Sequence, residues 1–522
     1  MKTLKSLVQG RWHEADSGFA NLVNPSNGET VARASSAGID FPAAYAFARD
    51  TGGPALRALT VARRGELLKE VSRAIHQHRD ELIALSLLNS GATRKDAKFD
   101  LDGATGTLAY YASLARDGGD ARFVSLDGGM QLGRTARFWG RHLLVPRQGV
   151  AVHINAFNFP AWGFAEKAAQ AILAGMPVIT KPATSTALVT ERCIEIIHEA
   201  GILPQGAMSL ICGSTGDLLS LLGGQDVLAF TGSADTALKL RSYPNLLSSN
   251  TRANLEADSL NAAVLGPGVS DDSDTWDLFL ADVFREMTQK TGQKCTAVRR
   301  IMVPSDRLAS VREALCDRLS GIVVGNPADS SVNMGPLSTA DQLQDAVNGI
   351  ALLRESAELV FGTGERCDGV GAEPGTGFYM APVLLEAGDP AGSPTLHQHE
   401  VFGPVATLMP YDGSPAEASR LVAMAGGTLV TSLYCDDQEF VESFTAETGA
   451  FTGRLYLGSK KMADQAPGSG VALPQSLHGG PGRAGGGEEL GGLRGIALYS
   501  QPVAVQGSRP MVDKLCGEFH SR

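Results

Sequence analysis

The amino-acid sequence predicts an α/β protein in which mostly parallel sheets carry helices on both faces. Two stretches, residues 149–265 and 266–480, alternate short β-rich runs with amphipathic helical segments, which is typical of βαβ units. A chain of 522 residues is also long enough for roughly three or four structural units. We expect the two alternating stretches to be doubly wound α/β domains that meet at a cleft, with the remaining chain in smaller units.

The first of these stretches is predicted to contain four strands and two helices. The strands are expected at 149–155, 177–181, 209–212 and 227–231, and the helices at 164–174 and 188–201. Ligands of such sheets bind at the carboxyl ends of the strands. Those ends carry amides, hydroxyls, glycines and one lysine, which suit a phosphorylated cofactor.

The second stretch is predicted to form its own α/β unit. Helices are expected at 275–288, 308–319 and 343–353, and strands at 300–303, 405–409 and 428–434. Two further β-rich runs, 123–146 and 496–506, lie outside both units. They are expected either to pair as a small sheet that docks a neighbouring subunit or to be edge strands.

Composition narrows the class of protein. Hydrophobic residues make up 43% and charged residues 19% of the chain, and the formal net charge is -11, which indicates a globular protein and argues against a nucleic-acid partner. The start lacks the apolar run of a secretory signal, and the longest uncharged stretch contains polar residues and a proline. We expect a cytoplasmic protein without a membrane partner.

Seven cysteines are widely separated and contain no C-x-x-C pair. This pattern favours reduced thiols over a disulfide framework or a structural zinc site, and no metal site is expected. Cys295 follows Lys294 in the run GQKC, Glu256 lies 39 residues before it, and Asn158 opens an NFP loop. A thiol, a carboxylate and an amide could supply a nucleophile, a base and an oxyanion donor. Residue types alone leave two alternatives open, a buried structural cysteine and a surface glutamate.

Ten short motifs in a fixed order extend this argument along the chain. They are NPSNGE at 24–29, NFP at 158–160, KPA at 181–183, GILPQG at 201–206, FTGS at 230–233, LE at 255–256, GQKC at 292–295, GPL at 335–337, EVFGP at 400–404 and HGGPGRAGGGEELGG at 478–492. Together they resemble the NAD(P)-dependent aldehyde dehydrogenase superfamily over essentially the whole chain. The resemblance implies a cofactor-binding, Rossmann-like domain at 1–122 and 147–265, a catalytic domain at 266–480, and an oligomerisation β element at 123–146 and 495–510.

The resemblance also implies catalytic roles. Cys295 would attack the aldehyde carbon, with the Asn158 side chain and the Cys295 backbone N–H as oxyanion donors. Lys294 or a helix terminus is expected to lower the thiol pKa. Glu256 would activate water to hydrolyse the thioester, which argues against a CoA-acylating enzyme, although the family's glycine-rich continuation is replaced here by ADSLN at 257–261.

Three further residues are expected to move protons. They are Glu166, Lys167 and Glu489, and the alternative for the adjacent Glu166–Lys167 pair is a solvated surface pair.

Cofactor binding is implied at a second group of positions. They are Asn155, Lys181, Thr184, Ser185, Gly232, Ser233, Glu400 and Phe402. Family members that prefer NAD usually carry a glutamate three residues after the lysine, where this chain has Thr184. A glutamate there would repel a 2′-phosphate, so its absence favours NADP. Glu400 would hold the nicotinamide ribose, and Phe402 is expected to pack beside the ring.

The glycine-rich close and the AVQG ending at 504–507 resemble the branch of the superfamily that oxidises CoA-thioester semialdehydes. The expected substrate is 3,4-dehydroadipyl-CoA semialdehyde, because the chain has no room for the added hydratase-like domain of the enzyme acting on 3-oxo-5,6-dehydrosuberyl-CoA semialdehyde. That second substrate and a general aliphatic aldehyde remain the alternatives. Lys460 and Lys461 are candidates for binding the CoA phosphates, and a homodimer or dimer of dimers is expected.

Overall fold

The computed structural model describes residues 1–516, apart from the side chains of Asp117 and Cys516. Two seven-stranded sheets form the body of the protein. In spatial order the strands of the first, the N-terminal sheet, are Arg252–Glu256, Val227–Thr231, Ala151–Ile154, Val178–Lys181, Met208–Leu210, Ser6–Val8 and Arg11–His13. Its first five strands are parallel. Most of their side chains are buried, as expected for parallel strands inside an α/β domain.

The second, C-terminal sheet follows the same design. Its strands are Ala357–Phe361, Val383–Ala387, Val405–Tyr411, Arg300–Pro304, Ala262–Leu265, Thr428–Tyr434 and Thr452–Gly458. Only the first strand pairs antiparallel with its neighbour. The predicted α/β fold class is therefore confirmed.

The helices that cover the sheets agree with the predicted positions to within a few residues. Those in the first half of the chain are Phe41–Phe47, Gly53–Arg57, Val61–Gln77, Arg79–Ser90, Arg94–Leu114, Trp162–Ala174, Ala187–Glu199, Ala234–Arg241 and Pro244–Ser248. Those in the second half are Asp274–Thr288, Leu308–Ser320, Ala340–Leu353, Thr395–Gln398, Pro415–Ala423, Gln438–Thr448, Leu493–Leu498 and Arg509–Cys516. No helix within residues 1–516 has the length and apolar character needed to cross a membrane.

One domain boundary differs from the sequence-based placement at residue 265. The strand Ala262–Leu265 pairs with strands of the C-terminal sheet on both sides, so it does not belong to the first unit. The chain crosses between the two sheets in the segment 257–261. This crossing places Glu256, the last residue of the strand Arg252–Glu256, at the junction of the two sheets.

The two outlying β-rich runs pair with each other. Ser500–Ser508 lies antiparallel to Phe138–Pro146 over its full length, and the short strands Val124–Ser125 and Met130–Gln131 extend this small sheet. The predicted strand start at residue 496 was wrong, because residues 496–498 belong to the helix Leu493–Leu498. Ile496 is buried and this helix contacts the helix Trp162–Ala174, so tertiary packing outweighs the β-rich local sequence.

The glycine-rich close is an ordered hairpin. Leu477–Gly479 pairs antiparallel with Glu488–Leu490, and the hairpin packs against the strand Arg252–Glu256. A Cβ atom added to Gly485 would collide with the carbonyl of Leu255, so glycine permits the close approach of the two backbones. The segment thereby lies beside Glu256 rather than acting as a flexible linker.

Candidate active site

Cys295 lies in the loop between the helix Asp274–Thr288 and the strand Arg300–Pro304. Two non-glycine residues before it have left-handed backbones, Lys290 with φ 54° and Thr291 with φ 56°. Such conformations cost about 1–3 kcal/mol each and persist where the surroundings enforce them. Thr291 is held by its Oγ1, which donates to the carbonyl of Gly335 at 2.9 Å, and Asn261 Nδ2 fixes the same loop further on by donating to the carbonyl of Cys295 at 2.7 Å.

Three ionisable side chains meet at the junction of the two sheets. His478 Nε2 lies 3.3 Å from Glu256 Oε2 and 3.8 Å from Cys295 Sγ. Glu256 and His478 are buried, and Cys295 is nearly so. Within the described part of the chain, this trio is also the one group whose spacing suits a metal ion, with ligand atoms within 4.8 Å of one another.

The expectation that Lys294 lowers the pKa of the nucleophile was wrong. Its Nζ lies 2.7 Å from Glu286 Oε2 and donates to Gln289 Oε1 at 2.9 Å, so the ammonium is engaged by these two side chains. Burial raises the pKa of Cys295 well above its ordinary value, and the carboxylate of Glu256 raises it further. The thiol therefore needs another partner to ionise.

Glu256 and His478 shift each other's protonation. Burial favours a neutral Glu256, but His478, Lys167 and the hydrogen bond from Cys295 together outweigh it and lower the pKa of the carboxyl group. Burial also opposes protonation of His478, yet the charge and hydrogen bond of Glu256 raise the pKa of the imidazole. Glu256 is therefore ionised at neutral pH and His478 is a stronger proton acceptor than an isolated imidazole.

Asn158 borders the same pocket as the trio. Its side-chain Nδ2 donates to the carbonyl of Gln293 at 3.0 Å, which holds the amide against the loop that carries the thiol. Gln293 is in turn fixed by Ser338, whose N–H donates to its Oε1 at 3.0 Å. The structure thus brings the predicted oxyanion donor and the predicted nucleophile together.

The cavity enclosed by these residues is narrow, with a volume of about 40 Å³. Three aromatic rings, Phe99, Phe159 and Trp162, contact one another edge to face and form an apolar wall. Cys295 and Glu256 line the same cavity, so the thiol faces a narrow, largely apolar space.

Lys167 joins two buried carboxylates at the back of the pocket. Its Nζ lies 3.2 Å from Glu166 Oε1 and 3.1 Å from Glu489 Oε2. Asn254 donates to the other oxygen of Glu489 at 2.9 Å. Burial lowers the pKa of Lys167, but Glu489 and Glu166 outweigh it and raise the pKa overall. The surface-pair alternative for Glu166 and Lys167 does not apply, because both residues are buried.

The predicted cofactor residues lie at the carboxyl ends of strands in the N-terminal sheet. Lys181 ends the strand Val178–Lys181, and Thr184 and Ser185 form the turn that follows it. Burial lowers the pKa of Lys181, and Cys212 is the one ionisable group that opposes this shift. Lys181 is therefore not engaged by a carboxylate of the described residues, which leaves its ammonium for an anionic ligand.

Orphaned polar atoms nearby fit a polar cofactor. The Oδ1 of Asn155 and the Oγ1 of Thr231 are buried and have no hydrogen-bond partner among residues 1–516. Gly232 packs directly against the ring of Phe230, where an added Cβ would lie only 2.5 Å from the ring. These features fit a nicotinamide dinucleotide.

The helix Ala234–Arg241 begins beside this space. Ser233 caps it by accepting a hydrogen bond from the Thr236 N–H, and the Ala234 N–H donates to Asp258 Oδ1 at 2.9 Å. Arg483 lies 3.4 Å from the other oxygen of Asp258. A pyrophosphate at this helix end would therefore lie near a carboxylate that Arg483 partly neutralises.

Glu400 is held on both oxygens. Arg299 Nε donates to Oε1 at 3.2 Å, and the N–H of Ser259 donates to Oε2 at 3.0 Å. Burial raises its pKa to about 7 against the opposing charge of Arg299. Phe402 packs edge to face on Phe157 with ring centroids 5.8 Å apart.

Sequence reasoning missed four residues of the site. They are His478, Asn254, Asn261 and Arg299, and all four are buried. His478 opens the glycine-rich close and Asn261 ends the altered ADSLN segment, which were the only local signals. A single side chain far from Cys295 in sequence carries no spacing pattern that would reveal its contact with the thiol.

The fold and the site agree with comparisons to known proteins. The sequence profile of the aldehyde dehydrogenase family matches residues 12–494, and the chain belongs to this family. Among characterised relatives, 3,4-dehydroadipyl-CoA semialdehyde dehydrogenase of Aromatoleum evansii is 42% identical over 478 residues, which cover 92% of this chain and 93% of the relative. Alpha-ketoglutaric semialdehyde dehydrogenase of Bacillus subtilis strain 168 is 28% identical over 481 residues, or 91% and 94% of the two chains.

Solved structures show the same fold. A betaine aldehyde dehydrogenase variant from Staphylococcus aureus, in complex with NAD+, has a TM-score of 0.83 and 23% identity. The match covers 97% of this chain and 98% of that one. Aldehyde dehydrogenases are oxidoreductases that use a nicotinamide cofactor.

Proposed function

We propose that this protein oxidises the aldehyde group of a CoA-thioester semialdehyde to a free carboxylate with NADP, and that 3,4-dehydroadipyl-CoA semialdehyde is its substrate. The observation that carries the proposal is the 42% identity to an enzyme of that name over 92% of the chain. The aromatic wall beside the thiol supports it, because it gives the reacting end of the site an apolar lining.

The chemistry is assigned to residues of the cleft. Cys295 attacks the aldehyde carbon, and Asn158 with the Cys295 backbone N–H stabilises the oxyanion. When bound, the nicotinamide accepts the hydride. Glu256 then removes a proton from water for hydrolysis of the thioester, and its ionised state suits that role. A CoA-acylating enzyme would instead transfer the acyl group to CoA.

Proton release is assigned to Glu166, Lys167 and Glu489. Their buried ion pairs begin beside the pocket that holds Glu256, and Glu166 has a pKa of about 7, raised mainly by burial. A carboxyl group near this pKa exchanges protons readily at neutral pH. Unchanged turnover and an unchanged solvent isotope effect in a Glu166→Gln variant would remove this assignment.

The preference for NADP rests on charge. Lys181 supplies a cation without a carboxylate partner, and Thr184 stands where a glutamate would repel the 2′-phosphate. The N-terminal sheet would bind this cofactor, while the loop that leads into the strand Arg300–Pro304 of the C-terminal sheet carries the nucleophile. Lys460 and Lys461 are exposed and stay candidates for the CoA phosphates.

A homodimer or dimer of dimers in the cytoplasm is proposed for the assembly. The small sheet and its connecting loops expose several large apolar side chains, namely Leu126, Met130, Leu132, Phe138 and Val503. Apolar surface of this kind marks an interaction face. Light scattering after size exclusion tests this, and a monomer at micromolar concentration would contradict it.

The decisive experiment compares a CoA-linked six-carbon semialdehyde with a simple aliphatic aldehyde, with NADP and NAD in parallel. We expect kcat/KM to be at least about 10²-fold higher for the CoA-linked substrate with NADP, a difference of about 2.7 kcal/mol. Cys295→Ala should abolish both activities. Equal rates on the two aldehydes would favour a general aliphatic aldehyde dehydrogenase, and activity in Cys295→Ala would overturn the mechanism.

A further inference from the structure

His478 is the third ionisable group at the reacting sulfur and has no role in the chemistry assigned above. It lies in the strand Leu477–Gly479 with 4% of its surface exposed. A Cβ atom on Gly453 would collide with the carbonyl of Gly479, so this strand approaches its neighbour closely. The hairpin therefore holds the imidazole in one place.

The contacts of the ring are few and specific. Nε2 faces both Cys295 Sγ at 3.8 Å and Glu256 Oε2 at 3.3 Å. Nδ1 has no hydrogen-bond partner in the described part of the chain. No backbone carbonyl occupies Nδ1, so the neutral ring is able to carry its proton there. In that tautomer Nε2 accepts the proton of the sulfur, and the resulting Nε2–H of the imidazolium then donates to Glu256 Oε2.

Charge around the trio favours this transfer. A thiol that loses its proton beside the carboxylate of Glu256 creates two neighbouring anions, which burial makes costly. A proton on His478 places a cation between them. Glu166 also favours that proton, and Arg454 opposes it. The raised pKa of His478 favours this transfer, because it makes the ring a better acceptor for the proton of a thiol whose own pKa is raised by burial.

We propose that His478 is a catalytic residue that accepts the thiol proton of Cys295, so that the nucleophile reacts as a thiolate paired with an imidazolium. This inference rests on the proposed function, because it assigns the base for the thiol of that reaction. Glu256 then stays a carboxylate throughout the attack and is free for the hydrolytic water.

The proton and electron movements balance in each half of the reaction. In the first, the S–H proton moves to Nε2, a C–S bond forms, and the carbonyl π pair moves to oxygen. With a nicotinamide bound, the aldehyde hydrogen would leave to it as hydride, and the C=O bond re-forms as a thioester. In hydrolysis, Glu256 takes a proton from water, the hydroxide adds to the carbonyl carbon, and the C–S pair returns to sulfur. The carboxylic acid product ionises, the proton on Glu256 leaves to solvent, and the thiolate is regenerated beside an imidazolium that has kept its proton.

The test measures thiol reactivity directly, without substrate. The rate of Cys295 alkylation by iodoacetamide is followed between pH 5 and pH 10 by mass spectrometry of the peptide that contains it. His478→Gln and His478→Phe are compared with wild type. Glutamine keeps a polar contact with Glu256 and cannot accept a proton, whereas phenylalanine removes the contact as well.

We expect both variants to lose at least about 10-fold in alkylation rate at pH 7, with the inflection moved to higher pH, because the thiolate fraction falls. Turnover should fall in parallel. The partly buried Cys316 and Cys367 serve as internal controls and should label at the wild-type rate. Cys193 and Cys212 are buried and should remain unlabelled if the variant is folded.

Two results would overturn the inference. A wild-type alkylation profile in both variants would show that His478 does not ionise the thiol. A wild-type profile in His478→Gln alone would show that the ring only positions its neighbours. The proposed function fails separately, if Cys295→Ala retains dehydrogenase activity. A variant whose Cys193 and Cys212 become labelled is unfolded, and the decision then rests on the other variant.

Discussion

The ammonium of Lys294 lies 2.7 Å from the carboxylate of Glu286, and both side chains are buried. Lys294 is the residue immediately before Cys295, so the pair fastens the Cys295 loop to the helix Asp274–Thr288. The lysine contributes to the site by holding the loop in place, because its charge is directed to Glu286 rather than to the sulfur.

Removal of one partner of this pair should destabilise the protein strongly. Lys294→Met leaves the Glu286 carboxylate buried without a counter-charge, which typically costs about 3–5 kcal/mol. We expect a clearly lower thermal-unfolding midpoint, with partial recovery in Lys294→Met/Glu286→Leu. Arg63→Ala, which breaks the exposed pair with Glu66, is the matched control and should change stability by no more than about 1 kcal/mol. Equal effects in the buried and exposed variants would refute this interpretation.

Asn158→Ala should lower kcat with little change in the KM for the cofactor. Loss of one oxyanion donor typically costs about 10²–10³ in rate, and this amide is held against the Cys295 loop by its bond to Gln293. Steady-state kinetics with the CoA-linked semialdehyde measure the effect. A kcat within threefold of wild type would show that the amide does not reach the oxyanion.

Glu166 should make stability depend on pH. Burial raises its pKa from 4.5 to about 7, so between these values the folded protein holds a proton that the unfolded chain releases. Stability from this group is therefore lost as the pH rises from about 4.5 to 7. Glu166→Gln removes this loss. The free energy of unfolding of the variant, measured relative to that of wild type, should therefore rise by up to about 3 kcal/mol between pH 5 and pH 8. The same difference in unfolding free energy between the variant and wild type at pH 5 and at pH 8 would contradict this prediction.

Thr184→Glu should reverse the cofactor preference. A carboxylate near the expected 2′-phosphate introduces like charges, which cost several kcal/mol, so kcat/KM for NADP should fall by at least about 10² while that for NAD is retained. Thr184→Ala, which removes the hydroxyl without adding charge, is the control and should lose much less. A wild-type enzyme that prefers NAD would reject the argument regardless of the variants.

Much of the site followed from local sequence. The motifs around Asn158, Lys181, Glu256 and Cys295 lie at strand ends and loops whose positions the alternation of β-rich and helical runs predicted to within a few residues. Parallel strands end at the same edge of a sheet, so residues that follow them converge whatever their separation along the chain. This argument covers Asn158 and Glu256, whereas Cys295 precedes its strand and is recognised from its place among the ordered motifs.

The amino-acid sequence by itself determined the α/β class, the alternation of strands and helices, and the residue types available for chemistry, because these depend on short-range periodicity and backbone preference. Tertiary structure decided which side chains touch. Cys295 and His478 are 183 residues apart, Lys294 is directed to Glu286 instead of the thiol, and the strand Ala262–Leu265 belongs to the second sheet. Each of these outcomes depends on the direction of a side chain or strand within a packed interior, where contacts between distant segments outweigh local preference.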